Sequence, residues 1–286
     1  MESEIILIGN ELLIGKVQDT NGKFIIDHLI PLGMQITQIT IIPDDLLRIR
    51  NAVLDSLTRK PMFIFTSGGL GPTFDDMTLE GINQILKPFQ EMKENADALE
   101  MIYQSYSKRF KKSTKEVKSF LEKRYPLHHK MAILPQCAIP LNNSEGMAPG
   151  VLIPKEFTNG VTEIIALPGV PLELEAIFVQ HIVSRVQKLT RDIKYYQCGF
   201  IFANLGESRF TELIYSIKDK YPEIWIKTHP RSKLMNGKRI YEVEVHLTAF
   251  TKNKSIPNKI NELYNILKEH VQNSRGKILK ENPLLE

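Results

Sequence analysis

Five carboxylates fall in three short stretches that each follow an apolar run: Glu11 in GNELLIG (9–15), Asp44 and Asp45 in PDD (43–45), Asp75 and Asp76 in SGGLGPTFDD (67–76). In the last stretch Gly68, Gly69 and Gly71 precede the acids. Glycine lets backbone amides approach a phosphate closely, and a helix N-terminus beyond it adds positive potential. Carboxylates would repel that phosphate unless a divalent cation lay between them, as magnesium does when it takes one or two carboxylates plus phosphate oxygens. Two acidic pairs and a glycine loop therefore point to metal-assisted chemistry on a phosphoanhydride. The competing structural reading makes Asp44 and Asp76 plain helix N-caps, where Asp accepts backbone N–H bonds. One cap needs one carboxylate, so one acid of the pair 75–76 stays free.

GNELLIGK (9–16) looks like a Walker A loop, but five residues separate Gly9 from Gly15 instead of four, and Val17 stands where Ser or Thr would hold magnesium. The P-loop reading fails. A turn with a buried Leu12-Leu13 pair is the structural alternative, and it leaves Glu11 unexplained. His128-His129 has no second ligand pair at metal spacing and reads as a loop feature.

These stretches need elements to position them. IILI (5–8), MQITQITII (34–42) and MFIF (62–65) alternate with helical patterns at Asn21 to Leu32, Asp45 to Thr58 and from Thr78. This predicts an α/β fold, a mostly parallel sheet with helices on both faces, whose ligands sit at the carboxyl ends of the strands. Helical patterning continues through about 90–124, and prolines 126, 135 and 140 then break it. NNSEGMAPG (142–150) is a turn-rich run; VLIP (151–154) and EIIAL (163–167) return to the sheet, and PGVP (168–171) opens a helix to about Lys188. From about 191 the pattern changes to strands at 195–203, 223–228 and 239–250 with helices at 207–220 and 257–272, a smaller α+β domain with an antiparallel sheet. The expected division is 1–188, 191–274 and a tail at 275–286.

Composition sets outer limits. The 286 residues carry a net charge of +4, but Lys108 to Lys130 holds nine Lys or Arg against two Glu, so that stretch is +7 and the rest −3. A basic stretch attracts anions by field alone, or binds nucleic acid. Phe110 and Phe120 within it read as core contacts and not as stacking platforms. Two cysteines far apart suggest neither a disulfide framework nor a thiolate zinc site. No run approaches the ~18 apolar residues of a membrane span, and MESEIILIGN is unlike a signal peptide, so a cytoplasmic location and no membrane partner are expected.

In order, GNELLIG, DTN (19–21), PDD, SGGLGPTFDD, NNSEGMAPG and LPGVP (167–171) resemble the CinA family, whose N-terminal domain is related to the molybdopterin-binding MoaB/Mog domain. ANLGESRFTELI (203–214) is similar to the segment that follows in that family, where the smaller domain is KH-like. No GxxG occurs between 191 and 260, so the phosphate clamp of nucleic-acid-binding KH modules is missing, and a nucleic-acid partner is not expected. Larger CinA proteins add a C-terminal domain that deamidates nicotinamide mononucleotide; the chain stops at Glu286, and that activity is not expected.

For the first domain the resemblance implies hydrolysis of a nucleotide diphosphate linkage, in ADP-ribose or FAD, that releases AMP. It implies dependence on a divalent metal (magnesium, cobalt or manganese), help from potassium, and a homo-oligomer. The related Mog proteins bind molybdopterin, and some adenylylate it, which keeps a pterin ligand as the alternative. By position, Asp76 and Asp44 are the metal-linked catalytic acids, with Asp75 or Glu11 as base. Gly9, Asn21, Ser67, Gly68, Gly69, Gly71 and Thr73 line the substrate on one side. Asn143, Gly146, Pro149 and Gly150, with Pro168 and Gly169, line it from the distal motifs. Asp75 replaces an arginine common in Mog proteins, Asn10 stands where the CinA pattern often has Thr, and Phe74 where it has Lys or Arg, which removes one phosphate-binding cation.

Overall fold

Strand β1 (Glu2–Ile8) buries six consecutive residues, the mark of a strand covered on both faces. It is followed by a single helical turn α1 (Asn10–Leu13), helix α2 (Asn21–Leu29), strand β2 (Gln35–Ile42) and helix α3 (Leu46–Arg59). Next come the fully buried strand β3 (Phe63–Ser67) and a short helix α4 (Thr78–Asn83). This computed structural model describes residues 1–86, 91–157, 160–235 and 238–284. Helix α3 shows why the boundaries fall where they do. Asp45 is extended and its side chain accepts the Arg48 N–H at 2.9 Å, Ile49, Val53 and Leu57 recur on the buried face, and Lys60 ends the helix in the left-handed region.

The segment read as continuing helix opens instead with a short strand β4 (Met92–Glu94), then helices α5 (Ala96–Phe110) and α6 (Thr114–Arg124). A 3-10 turn, Pro126–Ala132, leads to β5 (Ile133–Pro135), which pairs with β4. Strands β6 (Ile139–Leu141), β7 (Gly150–Phe157) and β8 (Gly160–Leu167) and helices α7 (Pro171–Ile177) and α8 (Val183–Thr190) complete this unit. Its six-stranded sheet runs β2-β1-β3-β8-β7-β6. The pairs β1–β2, β1–β3 and β3–β8 are parallel, and β8–β7 and β7–β6 antiparallel. The basic stretch lies on α5 and α6, where Phe110 and Phe120 pack edge to face at 5.3 Å, Lys112 sits 5.0 Å over Phe120, and most of the lysines are exposed.

The chain divides into two units, Met1–Ile30 with Met34–Leu189 and Pro31–Gly33 with Thr190–Glu286. The second holds β9 (Lys194–Ala203), α9 (Glu207–Ile217), β10 (Trp225–Met235), β11 (Lys238–Thr251), α10 (Ile256–Asn273) and β12 (Lys277–Asn282). The segment 275–286, expected as a tail, supplies a fourth strand: β12 runs antiparallel to β9 and gives the sheet order β10-β11-β9-β12. Its solvent-facing side chains are charged, which hid the strand from a hydrophobic pattern and suits an edge. The βαββαβ order with this strand order is the split-βαβ, ferredoxin-like arrangement. Phe200, Phe202, Phe210, Val245 and Leu267 fill its core. Among the described residues no helix is long and apolar enough to cross a membrane.

Candidate functional site

Because β1, β2, β3 and β8 are parallel, their carboxyl ends at Ile8, Ile42, Ser67 and Leu167 share one edge of the sheet. The loops leaving them are stitched together by backbone bonds, Gly9 N–H to Ile42 O at 3.1 Å and Gly68 N–H to Leu167 O at 3.0 Å. At Gly68 φ is +110°, and a Cβ would stand 2.2 Å from the Ile8 carbonyl oxygen, so only glycine lets the β1 and β3 loops touch. These loops wall a cleft of about 580 Å³. Of the expected residues, Glu11, Asp44, Asp75 and Asp76 line it, together with Gly68, Gly69, Gly71, Pro168 and Gly169.

Asn21 and Ser67, expected to touch substrate, are buried and build the frame instead. Asn21 Nδ2 donates to Ser67 Oγ at 2.9 Å and to the Gly169 carbonyl at 2.8 Å, and Ser67 Oγ donates to the Pro168 carbonyl at 3.3 Å. This ties α2, β3 and the loop after β8 into one rim. Thr78 Oγ1, at the start of α4, donates to the Gly68 carbonyl at 2.8 Å and fixes the other side of the glycine loop.

The acids divide by role. Asp45, not Asp44, caps α3, so the cap reading of Asp44 is overturned; Asp44 Oδ2 accepts the Asn10 backbone N–H at 2.8 Å. Its carboxyl is held above the usual range, first by burial and then by the charges of Glu11 and Asp75. Neither Asp75 nor Asp76 caps α4: the position before Thr78 is Met77, with no side-chain cap. Asp76 Oδ2 accepts both the Thr73 N–H at 2.8 Å and the Thr73 hydroxyl at 2.7 Å, which closes the turn 73–76. The single hydrogen of the Thr73 hydroxyl is shared with Asp75, and that contact, with Lys130 as a weaker contributor, holds Asp75 below the usual carboxylate range. Asp75, not Asp76, is the acid of this loop whose charge reaches Asp44.

The turn α1 buries none of its residues, and Leu13 is 52 % exposed, which overturns the alternative reading of a buried Leu12-Leu13 pair. Glu11 lines the cleft from there. Phe74 is 91 % exposed at the tip of the glycine loop. The cation missing at 74 arrives from elsewhere: Lys130 Nζ donates to the Thr73 carbonyl. Nothing local to 67–76 signals it, because the two residues are 57 apart in sequence.

The run 142–150 organises a second wall through Asn143, whose Oδ1 accepts from Glu145 N at 3.1 Å and Gly146 N at 2.9 Å. Its Nδ2 donates to the Ala148 carbonyl at 2.8 Å and to Glu173 Oε2 at 2.7 Å. Gly146 is small because a Cβ there would collide with the Glu173 carboxyl; Pro149 and Gly150 are buried at the start of β7. Of this run Met147 and Ala148 line the cleft; Asn143, Gly146, Pro149 and Gly150 shape it. Sequence reasoning missed Glu173. It lies in the first turn of α7, lines the cleft, and burial raises its carboxyl above the usual range against the opposing bond from Asn143. Its position two residues after PGVP, in the first turn of the helix that motif opens, is the signal that could have found it.

Residues 4–188 match the family described as a probable molybdopterin binding domain. A protein of Sulfolobus acidocaldarius is 37 % identical over 268 residues, 93 % of each chain, and one of Saccharolobus islandicus 34 % identical over 279 residues, 96 % of each. The crystal structure of the protein CinA with unknown function from Thermoplasma acidophilum superposes with a TM-score of 0.54 at 33 % identity, covering 65 % of this chain and 99 % of that one. With a parallel sheet whose carboxyl ends carry the glycine loop, and with the family match spanning that whole unit, the chain belongs to the CinA family and carries its MoaB/Mog-like, probable molybdopterin-binding domain.

Proposed function

We propose that the first unit hydrolyses a nucleotide diphosphate linkage of the ADP-ribose or FAD type and releases AMP. The observation that carries this is the lining of the cleft: Glu11, Asp44 and Asp75 share it with the glycine loop, and burial first, then the charges of Glu11 and Asp75, raise Asp44. Such an all-oxygen set fits a hard divalent cation, magnesium, manganese or cobalt. Asp44 and Asp75 would hold it, with Asp76 Oδ1 as the further oxygen of the loop. A divalent ion bound there supplies charge neutralisation and Lewis-acid polarisation of a phosphoryl oxygen.

The chain's own residues do the rest. The amides of Gly69 and Gly71 face the diphosphate, since the Gly68 N–H is committed to Leu167. Lys130 supplies positive charge at the loop tip. Glu11 takes the proton of the attacking water. Glu173, whose carboxyl burial raises above the usual range, faces the substrate from the opposite wall. The description of the matched family favours a second reading, in which the cleft binds a pterin; adenylyl transfer to that pterin would be its chemistry by resemblance to the Mog proteins.

The test is to incubate the purified chain with ADP-ribose, FAD or ATP, with magnesium, cobalt or manganese and with potassium, and to follow AMP. Metal-dependent AMP that disappears in Asp44→Asn and Asp75→Asn is expected. Absence of AMP from either diphosphate, with molybdopterin bound, would replace this reading by the second.

A further inference from the structure

The turn after α6 gathers groups that hydrogen bonds leave unsatisfied. His128 is 2 % exposed, and its Nδ1 lies 2.7 Å from the Tyr125 carbonyl oxygen. A carbonyl has no proton to give, so Nδ1 carries the hydrogen and Nε2 of the neutral ring is a bare lone pair. That buried Nε2 has no partner. Beside it, His129 directs Nδ1 at the Glu94 carboxylate, and its Nε2 lies 3.3 Å from Glu122 Oε1. With the hydrogen of a neutral His129 on Nδ1, Nε2 and Glu122 Oε1 are two acceptors facing each other. One donor atom from each of Glu122, His128 and His129 lies within 4.8 Å of the others. The hydroxyl of Tyr103, whose ring is 5.6 Å from His128, is buried without a partner too.

An imidazolium at His129 would answer both carboxylates, yet His128 Nε2 would remain orphaned. A metal ion answers all three donors at once. We propose that His128, His129 and Glu122 bind a borderline divalent transition cation of the zinc class, through the two Nε2 atoms and one Glu122 oxygen. Two imidazoles and a carboxylate form a three-ligand zinc set that leaves one position to solvent, and nitrogen donors disfavour magnesium and calcium. Ligands about 2.0–2.1 Å from zinc stand about 3.3 Å apart in a tetrahedron, which is the His129–Glu122 separation. The Tyr125 carbonyl and Glu94 accept from the opposite ring nitrogens, the arrangement that fixes the tautomer of ligating histidines.

The site lies outside the cleft and follows from the local geometry alone, whatever the cleft catalyses. It cross-links the end of α6 to the turn that carries Lys130 and Met131, and so steadies the segment that reaches the glycine loop.

The test titrates chelator-treated full-length chain with Zn²⁺ by calorimetry and with Co²⁺ by visible absorption, with circular dichroism as the check on folding. One site per chain that depends on Glu122, His128 and His129 is expected, distinct from any binding at the cleft carboxylates, which the Asp44→Asn, Asp75→Asn double variant removes. It weakens on the order of 100-fold in His129→Ala and in Glu122→Gln, both on solvated side chains, and about 10- to 100-fold in Glu94→Gln. It persists in the Asp44→Asn, Asp75→Asn double variant. Zn²⁺ binding that survives unchanged in folded His129→Ala and Glu122→Gln, that disappears with the two aspartates, or that is absent from the unaltered chain overturns the proposal.

Discussion

Asn143 holds Glu173: its side-chain amide donates to Glu173 Oε2 at 2.7 Å, while the same nitrogen donates to the Ala148 carbonyl. Both side-chain heteroatoms of Asn143 are in use, two bonds accepted and two donated. Asn143→Asp keeps the acceptor and turns both donors into repulsions against oxygen. The expected loss is about 2–4 kcal/mol in denaturant unfolding at pH 7, and it shrinks at acid pH as the new carboxyl is protonated.

Asp44 should cost the metal-free protein stability. Its folded carboxyl is held above the ordinary aspartate range, so between the unfolded and folded pKa values the folded state holds more protons than the unfolded state, and stability falls as pH rises through the raised pKa. Above it the cost is fully present. Asp44→Asn, which keeps an oxygen for the Asn10 N–H, should raise the Tm at pH 7 in chelator by about 1–2 °C, the effect of less than 1 kcal/mol on a partly solvated group in a unit of this size. The gain should vanish near about pH 3.5, and magnesium should stabilise the unaltered chain more than the variant.

Gly68 and Gly15 both have positive φ, +110° and +68°, but only the first meets an obstacle, the Ile8 carbonyl oxygen 2.2 Å from a built Cβ. Nothing lies within 4 Å of the corresponding atom at Gly15. Gly68→Ala should cost about 3 kcal/mol and break the direct contact of the β1 and β3 loops; Gly15→Ala should cost about 1–2 kcal/mol from backbone strain alone.

At the opposite end of the sheet, Arg59 pairs with the buried Glu4 through Nε at 2.6 Å and a second nitrogen at 2.9 Å. Arg59→Met leaves Glu4 buried without its charge partner. The expected loss is about 2–3 kcal/mol, below that of a fully buried pair because Arg59 is itself partly solvated. Ligand binding at the cleft should be unchanged when corrected for the folded fraction.

Lys130→Met removes the cation at the glycine-loop tip. If the cleft handles a diphosphate, kcat/KM for AMP release should fall about 10-fold, equivalent to ~1.4 kcal/mol. Thermal stability should change by less than about 1 kcal/mol, since the contact with Thr73 is exposed.

The alternation of strand and helix, the apolar runs at 5–8 and 62–65, and the glycine loop at a strand end are local patterns, and they determined the fold class and the edge where the cleft lies. The motifs GGLGPTFDD, GMAPG and LPGVP determined the family for the same reason, since each is a turn whose backbone conformation its own residues impose. Only the tertiary structure decided which acid faces which. Asp44 and Asp45 are indistinguishable in sequence, and the choice between cap and cleft depends on where Asn10 lies across the β1–β2 edge. Asp75 and Asp76 are separated by the way Thr73 folds back on them. Glu173, Lys130 and the pairing of β12 depend on chain segments that meet through closure of the fold. Side-chain period and turn chemistry report a residue's own conformation, whereas a contact across 30, 57 or 148 positions, as at Asn143–Glu173, Thr73–Lys130 and Asn21–Gly169, exists only once the sheet has set the register of every loop it carries.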